Sequence, residues 1–205
     1  MHSTQLGNVT YSWKEITTSQ DLLSLGTQLS ICVSDPGECS SIYEDHASQR
    51  LEILALYEGT SLTAMAFLDV DLGGLVAMKR RLMTKPPLEY SRVVLDLLRT
   101  LGCGVYDVKG DFRHMGLVPL NGELGSVLDI PEGKVFPGNL NLNNVRFLHE
   151  SLPKGLTVEG HLLVCHTFLK SLPPGLSVGG NVYAQFNSEP LEIPKDATIH
   201  GSIFC

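Results

Sequence analysis

The chain has 205 residues with a hydrophobic content of 43% and a charged content of 18%, which is enough apolar material for one large domain or two small ones. Its formal net charge of −7 is too mild for an acidic tail protein and has the wrong sign for a general nucleic-acid coat. Residues 1–75 carry two basic and ten acidic side chains, whereas residues 76–100 carry six basic and two acidic ones. The composition therefore predicts a globular protein with one basic segment in its first half.

The first residues contain neither a basic stretch nor an apolar run, so we expect no signal peptide. No window approaches the ~20 apolar residues of a membrane span. The cysteines are odd in number and irregularly spaced, which favours reduced thiols; they are Cys32, Cys39, Cys103, Cys165 and Cys205. We therefore expect a cytoplasmic protein without a membrane attachment, and the absence of P-loop, GxGxxG and HExxH motifs predicts no cofactor.

The first half predicts a small α+β domain over residues 1–105. A helix begins at Thr18 or Ser19, which are good N-cap residues, and ends at Gly26. Three alternating strands follow over residues 50–58, 62–70 and 75–83, separated by the turn sequences GTS and DLGG. A second helix starts after Pro86-Pro87 and stops at Gly102, and its apolar face comprises Leu88, Val93 or Val94, Leu97, Leu98 and Leu101. We expect an antiparallel β-meander between two helices.

The second half, residues 106–205, contains a repeat. Its prolines, Pro131, Pro153, Pro173 and Pro194, lie 22, 20 and 21 residues apart, and its glycines, Gly138, Gly160, Gly180 and Gly201, have the same spacing. Each unit holds two short alternating runs, which are typical of strands and too short for helices. The glycine between the runs allows either a positive φ or a close approach of two backbone segments. A period of about 21 residues predicts a right-handed β-solenoid of about four rungs.

The template assigns side chains to the inside or the outside of this solenoid. Two inward ladders are predicted, Leu140, Leu162, Val182, Ile203 and Leu142, Val164, Ala184, Cys205, with Leu156, Leu176 and Ala197 at the preceding corner. Two outward rows are predicted, Asn139, His161, Asn181, Ser202 and Asn141, Leu163, Tyr183, Phe204. Residues 108–112 resemble a degenerate first rung that caps the array. Because the fourth unit stops midway at Cys205, we expect an uncapped edge that another surface covers.

Both halves resemble proteins of phages and mobile elements. In roughly residues 13–102 the resemblance is carried by Gly26, Leu29, Cys32, Val33, Tyr43, Lys79-Arg80-Arg81, Pro86 and Tyr90. This order of residues and elements is similar to the C-terminal region of PcfJ-like proteins. That family usually has a glycine and an asparagine in its basic strand-end motif, whereas this chain has Arg80 and Met83 or Thr84 near those places. The second half resembles the LPxGLxVxGxLxL repeats of phage and bacterial proteins of unassigned function. The resemblance implies a phage or mobile-element origin and carries over no catalytic residue.

Two groups of side chains are candidates for binding a partner. The first is basic and comprises Lys79, Arg80, Arg81, Lys85, Arg92 and Arg99. It suits an acidic protein better than nucleic acid, because Tyr90 is the single aromatic residue close by; the alternative is a solvated surface that offsets the acidic residues 1–75. The second group lies on the outside of the solenoid and comprises His161, Leu163, Tyr183 and Phe204.

Two further clusters contain side chains that could bind a metal ion or act in catalysis. His161, Cys165 and His166 have a spacing that suits a helix, whereas a strand and corner are expected there, and a closed zinc site needs four ligands. Cys32 with His46 and Asp45 offers a nucleophile and a base without any local signature, and a cysteine between apolar residues is more often a small core residue. We therefore predict no catalytic residue and no metal ligand.

These observations predict a non-enzymatic protein-interaction protein, for example an inhibitor of a bacterial immune complex such as a CRISPR-type complex, with a bacterial host protein or complex as its partner. One alternative is a nucleic-acid-binding module that uses the basic group. The other is an enzyme of unrecognised type centred on Cys32. Pairing of two chains through the last rung stays open as a further arrangement.

Overall fold

The structure is a computed structural model that describes residues 2–37, 39–80, 87–105, 111–146, 152–187 and 190–205. The fold is α+β, with a mixed sheet in the N-terminal part and a β-solenoid in the C-terminal part. Contacts divide the chain into two compact units, Met1–Pro86 with Arg92–Asp111 and Pro87–Ser91 with Phe112–Cys205. None of the helices among the described residues is long and apolar enough to cross a membrane.

The first unit contains one sheet whose strands are neighbours in chain order. They are β1 His2–Leu6, β2 Val9–Glu15, β3 Leu51–Glu58, β4 Ser61–Asp69, β5 Gly74–Arg80 and β6 Gly104–Val105. The first five strands are antiparallel, and β6 is parallel to β5. The predicted meander, β3 to β5, is confirmed as the middle of this sheet. The prediction of three strands was wrong in number, because it omitted the β1–β2 hairpin and β6.

Three helices accompany the sheet, α1 Ser19–Leu29, α2 Ser40–Ala47 and α3 Tyr90–Leu101. The Thr18 hydroxyl caps α1 by accepting a hydrogen bond from the Asp21 N–H at 3.0 Å. The predicted end of α1 at Gly26 was wrong, because Ser30 takes the left-handed cap conformation. A Cβ at Gly26 would lie 2.6 Å from a Val33 methyl group, so this glycine serves close packing inside the helix.

The central strands are buried on both faces, since residues 53–56 of β3 and 64–68 of β4 are consecutively buried. One face packs in a core of α1 and sheet residues that includes Leu22, Leu29, Ile53, Met65 and Phe67. The apolar side of α3 is buried as predicted at Val93, Val94, Leu97 and Leu98. Leu101 was wrongly included in that side, since it is exposed in the last turn of the helix.

A short helix and a hairpin precede the repeat. These are α4 Asp111–His114, β7 Leu117–Leu120 and β8 Glu123–Ser126, followed by a 3-10 turn over Val127–Asp129. In the segment that resembled a first rung, Phe112 is a buried residue of α4, and residues 108–110 lie outside the described residues.

The repeat forms two parallel sheets of stacked two-residue strands. One sheet contains β9 Val135–Phe136, β11 Thr157–Val158, β13 Ser177–Val178 and β15 Thr198–Ile199; the other contains β10 Leu140–Asn141, β12 Leu162–Leu163, β14 Val182–Tyr183 and β16 Ile203–Phe204. The solenoid is confirmed, but it has about three turns instead of four rungs, because the fourth unit stops directly after its two strands and does not complete a turn.

The register agrees with the predicted inward ladder of Leu140, Leu162, Val182 and Ile203. In the second ladder, Leu142, Val164 and Ala184 are buried, but Cys205 is exposed. Ile203 and Ala197 are only partly buried, because β15 and β16 each have a neighbouring strand on one side. The core of the unit is therefore tightest in its first three repeats.

Candidate functional site

The outer face of the sheet β10–β12–β14–β16 is built from the two predicted outward rows. Asn141, Leu163, Tyr183 and Phe204 occupy equivalent positions of successive strands. Consecutive strands of a sheet lie about 4.8 Å apart, which is close enough for the side chains in one row to touch. A row of this kind is a rigid support for side chains, because every strand is fixed by backbone hydrogen bonds to its neighbours.

The row that follows the repeat glycine holds the rungs together. Asn139 Oδ1 accepts from the N–H of His161 at 2.8 Å, His161 Nδ1 accepts from the N–H of Asn181 at 2.8 Å, and Asn181 Oδ1 accepts from the N–H of Ser202 at 2.9 Å. His161 thus uses a ring nitrogen as the acceptor where the neighbouring repeats use an amide oxygen. The structure thus gives this predicted binding residue a stabilising role.

Aromatic rings cover the outer face toward the later repeats. Tyr183 and Phe204 stack with centroids 5.0 Å apart and an interplanar angle of 9°, and His161 meets Tyr183 edge-on at 5.9 Å. At the following corner, His166 and Phe186 stack with centroids 4.7 Å apart and an angle of 4°. We call His161, His166, Tyr183, Phe186 and Phe204 the aromatic surface. None of these five side chains is Lys, Arg, Asp or Glu, so the surface suits apolar contact.

Phe186 is the most exposed of these rings and has an unusual backbone. It is 74% exposed and has a φ of 62°, in the left-handed region. Asn144 and His166 have the same conformation at the equivalent corners, with φ of 67° and 56°. Asparagine tolerates this conformation, whereas a bulky residue there is an outlier. Phe186 was absent from the predicted binding residues, because alternation along the strands assigns no side to the corner position that it shares with Asn144 and His166.

A cleft of about 580 Å³ lies at the start of the same face, lined in part by Arg113, Asn139 and Asn141. Arg113 Nη1 donates to Asn141 Oδ1 at 3.3 Å and to the Asn141 carbonyl oxygen at 3.4 Å. No sequence pattern points to Arg113, because the residue lies outside the repeat and reaches the solenoid only in the folded chain.

The predicted basic group is only partly described. Lys79 and Arg80 are half-buried at the end of β5, and Arg92 and Arg99 are exposed on α3. Arg81 and Lys85 lie outside the described residues. The structure thus places the described members on two separate elements, a strand end and a helix.

Asp96, on α3, is tied to the first strand. Its carboxylate accepts hydrogen bonds from the Thr4 hydroxyl and from His2 Nε2, the latter at 2.9 Å. The hydrogen bond from Thr4, with smaller contributions from the bond and charge of His2 and from the charge of Arg99, lowers the pKa of Asp96. These contacts anchor the N-terminal hairpin to the unit.

The structure separates Cys32 from the candidate base. Cys32 is exposed in the 3-10 turn Cys32–Ser34, whereas His46 Nε2 donates to the Ile16 carbonyl oxygen at 2.7 Å. The Asp45 carboxylate forms an ion pair with Arg50 at 2.6 Å. His46 lines a groove of about 660 Å³, and Cys32 is not among the described residues around it. The expectation of a buried core cysteine was therefore wrong, and no hydrogen bond joins His46 to this thiol among the described residues.

The five cysteines are free thiols, and burial raises the pKa of Cys103. Within the described parts of the chain, no group of three or more His, Cys, Asp or Glu side chains is arranged to hold a metal ion. The chain matches no protein-family model, no curated protein and no solved structure.

Proposed function

We propose that this chain is a non-enzymatic protein-interaction protein and that the aromatic surface of the solenoid binds its partner. The resemblance to phage and mobile-element proteins directs the search for this partner to bacterial host proteins, such as the components of an immune complex.

The observation that carries the proposal is Phe186. A left-handed backbone destabilises the folded state by about 1–2 kcal/mol at a bulky L-residue. Because the Phe186 ring is 74% exposed, its burial offsets little of this destabilisation. Asn144 shows that the same corner is formed without an aromatic side chain. An exposed aromatic residue in an unfavourable conformation is better explained by contact with another molecule than by stability of the fold.

The composition of the surface favours a protein over nucleic acid. Binding to the phosphate backbone requires several Lys or Arg side chains. The five rings supply none, and the described lining of the cleft at the start of the same face supplies one, Arg113. Aromatic residues are enriched at the centres of protein interfaces, where a few of them contribute most of the binding free energy. Rings that stack on one another, as Tyr183 does on Phe204, are held in place before the partner arrives.

Site-specific photo-crosslinking tests the proposal. A photo-reactive phenylalanine analogue is placed at Phe186, and in a matched control at Ser177, which points outward on the opposite sheet. In a bacterial lysate we expect one protein to crosslink at position 186 and not at position 177, and the purified protein to bind the unmodified chain saturably. Equal crosslinking at both positions, or failure of the purified protein to bind, would contradict the proposal.

A further inference from the structure

The cleft beside the first rung is lined by hydrogen-bond donors. Its walls include Arg113 of α4, Asn121 of the β7–β8 turn, and Asn139 and Asn141 of the first rung. Among the described residues that line it there is no Asp and no Glu. Within a chain of net charge −7, the described lining of this cleft carries one permanent positive charge and no negative one.

Internal hydrogen bonds fix the donors in place. Arg113 Nη1 donates hydrogen bonds to Asn141 and, at 3.5 Å, to the Asn143 carbonyl oxygen. The other two guanidinium nitrogens, Nη2 and Nε, have no partner among the described residues. Asn139 Oδ1 accepts from the His161 N–H, and Asn141 Oδ1 accepts from the Asn143 N–H at 3.1 Å. Since both amide oxygens are engaged, both Nδ2 groups remain as donors.

A guanidinium group with two amide donors matches an oxyanion. A carboxylate carries one negative charge, which the single charge of Arg113 balances. A phosphate carries about two charges at neutral pH and would leave one of them uncompensated. The donors therefore favour a carboxylate, and an Asp or Glu side chain of a protein supplies that group.

The cleft is continuous with the aromatic surface. Asn141 lies in register with Leu163, Tyr183 and Phe204, so three strand spacings separate Asn141 from Phe204, a distance of roughly 14 Å. We infer that the Arg113 cleft binds an Asp or Glu side chain of the same partner whose apolar residues cover the aromatic surface. This inference rests on the proposed function and specifies the partner as an acidic, amphipathic segment.

NMR titration with sodium propionate, which carries a single carboxylate as a Glu side chain does, tests the cleft without the partner. In the isotope-labelled full chain we expect saturable shifts of the Arg113 Nε–H and of the Asn139 and Asn141 side-chain amides, in the millimolar range. Sodium chloride at equal ionic strength should not produce these shifts. Arg113→Gln should abolish them, and Lys154→Gln, which removes an exposed charge outside the cleft, should leave them intact. Absence of saturable shifts, or a response to inorganic phosphate alone, would overturn the assignment of a carboxylate.

A second measurement separates this inference from the proposed function. With the partner captured at position 186, Arg113→Gln should weaken binding about tenfold, as expected for a charge-assisted hydrogen-bonded pair. Unchanged affinity for Arg113→Gln together with a loss for Phe186→Asn would overturn the carboxylate inference and retain the aromatic surface. Unchanged affinity for both variants would overturn both.

Discussion

His161 Nδ1 accepts a hydrogen bond from the backbone N–H of Asn181, one repeat further along the solenoid, at 2.8 Å. The neighbouring repeats use an asparagine oxygen for the same purpose, at Asn139 and Asn181. A polar acceptor at this position is therefore a part of the repeat, and its chemical identity is free to vary between His and Asn.

This relationship predicts the effect of two substitutions. His161→Asn should keep the unfolding free energy within about 0.5 kcal/mol, whereas His161→Leu should lower it by about 1–2 kcal/mol, because the Asn181 N–H loses its acceptor. Urea unfolding of both variants measures the difference. Equal losses for Asn and Leu would show that the acceptor does not matter.

The repeat glycines predict a contrast between the first repeat and the later ones. A Cβ at Gly180 would lie 2.5 Å from His161 Nδ1 and 2.9 Å from the Gly160 carbonyl oxygen, whereas a Cβ at Gly138 would meet nothing within 4 Å. Gly180→Ala should therefore destabilise the chain by about 1–3 kcal/mol through overpacking, with little effect of Gly138→Ala. Thermal unfolding of the pair tests this, and similar melting temperatures would refute the close approach.

The Asn187 side chain makes five hydrogen bonds, four of them to the preceding repeat. Its Oδ1 accepts from the N–H groups of Thr167 and Phe168 at 2.9 and 3.0 Å and from the Thr167 hydroxyl at 3.2 Å. Its Nδ2 donates to the Val164 carbonyl oxygen at 3.1 Å and, within its own repeat, to the Ala184 carbonyl oxygen at 2.8 Å. Asn187→Ala should lower the unfolding free energy by about 2–3 kcal/mol, since several of these backbone groups are buried. Asn187→Asp, which keeps the acceptor, should lose less at low pH, where its protonated oxygen is again a donor. A loss below 0.5 kcal/mol for Asn187→Ala, on the order of a surface substitution, would contradict this role.

The hydrogen bonds to Asp96 predict that the free energy of unfolding of the first unit depends on pH. Because hydrogen bonds from Thr4 and His2 lower the pKa of Asp96, its carboxylate stabilises the folded state above the ordinary Asp pKa, and the contribution disappears as the pH falls through the lowered value. The effect should be below about 1 kcal/mol, since the side chain is 45% exposed. Asp96→Asn should destabilise the chain at neutral pH and much less at a pH well below the ordinary Asp pKa of about 3.9. An equal difference at both pH values would rule out the ionised carboxylate as its source.

The repeat and the middle of the sheet were predictable because their patterns are local. The spacing of prolines and glycines identified the rungs, and the register followed from alternation. The β1–β2 hairpin had a recognisable signal that was missed, the two-residue turn Gly7-Asn8 between alternating strands, with Gly7 at a φ of 58°. The end of α1 was misplaced because Gly26 is required by packing against Val33, which no local pattern reveals.

The candidate site was predictable only where it coincides with the repeat. Tyr183 and Phe204 were identified by alternation along their strands. Phe186 lies at a corner, where alternation assigns no side, and its exposure depends on the left-handed turn. Arg113 lies on a short helix outside the repeat and reaches Asn141 across 28 residues of sequence. Contacts of that kind depend on the folded chain.

Stability and affinity measured in one variant, Phe186→Asn, decide whether the aromatic surface serves binding or the fold. Relief of the left-handed backbone, about 1–2 kcal/mol, exceeds the loss of an exposed ring contact of about 0.5 kcal/mol. If the surface is a binding surface, the variant has an equal or higher unfolding free energy and binds the partner captured at this position roughly 30-fold more weakly. Lower stability with unchanged affinity would contradict this prediction, because Phe186 would then serve the fold.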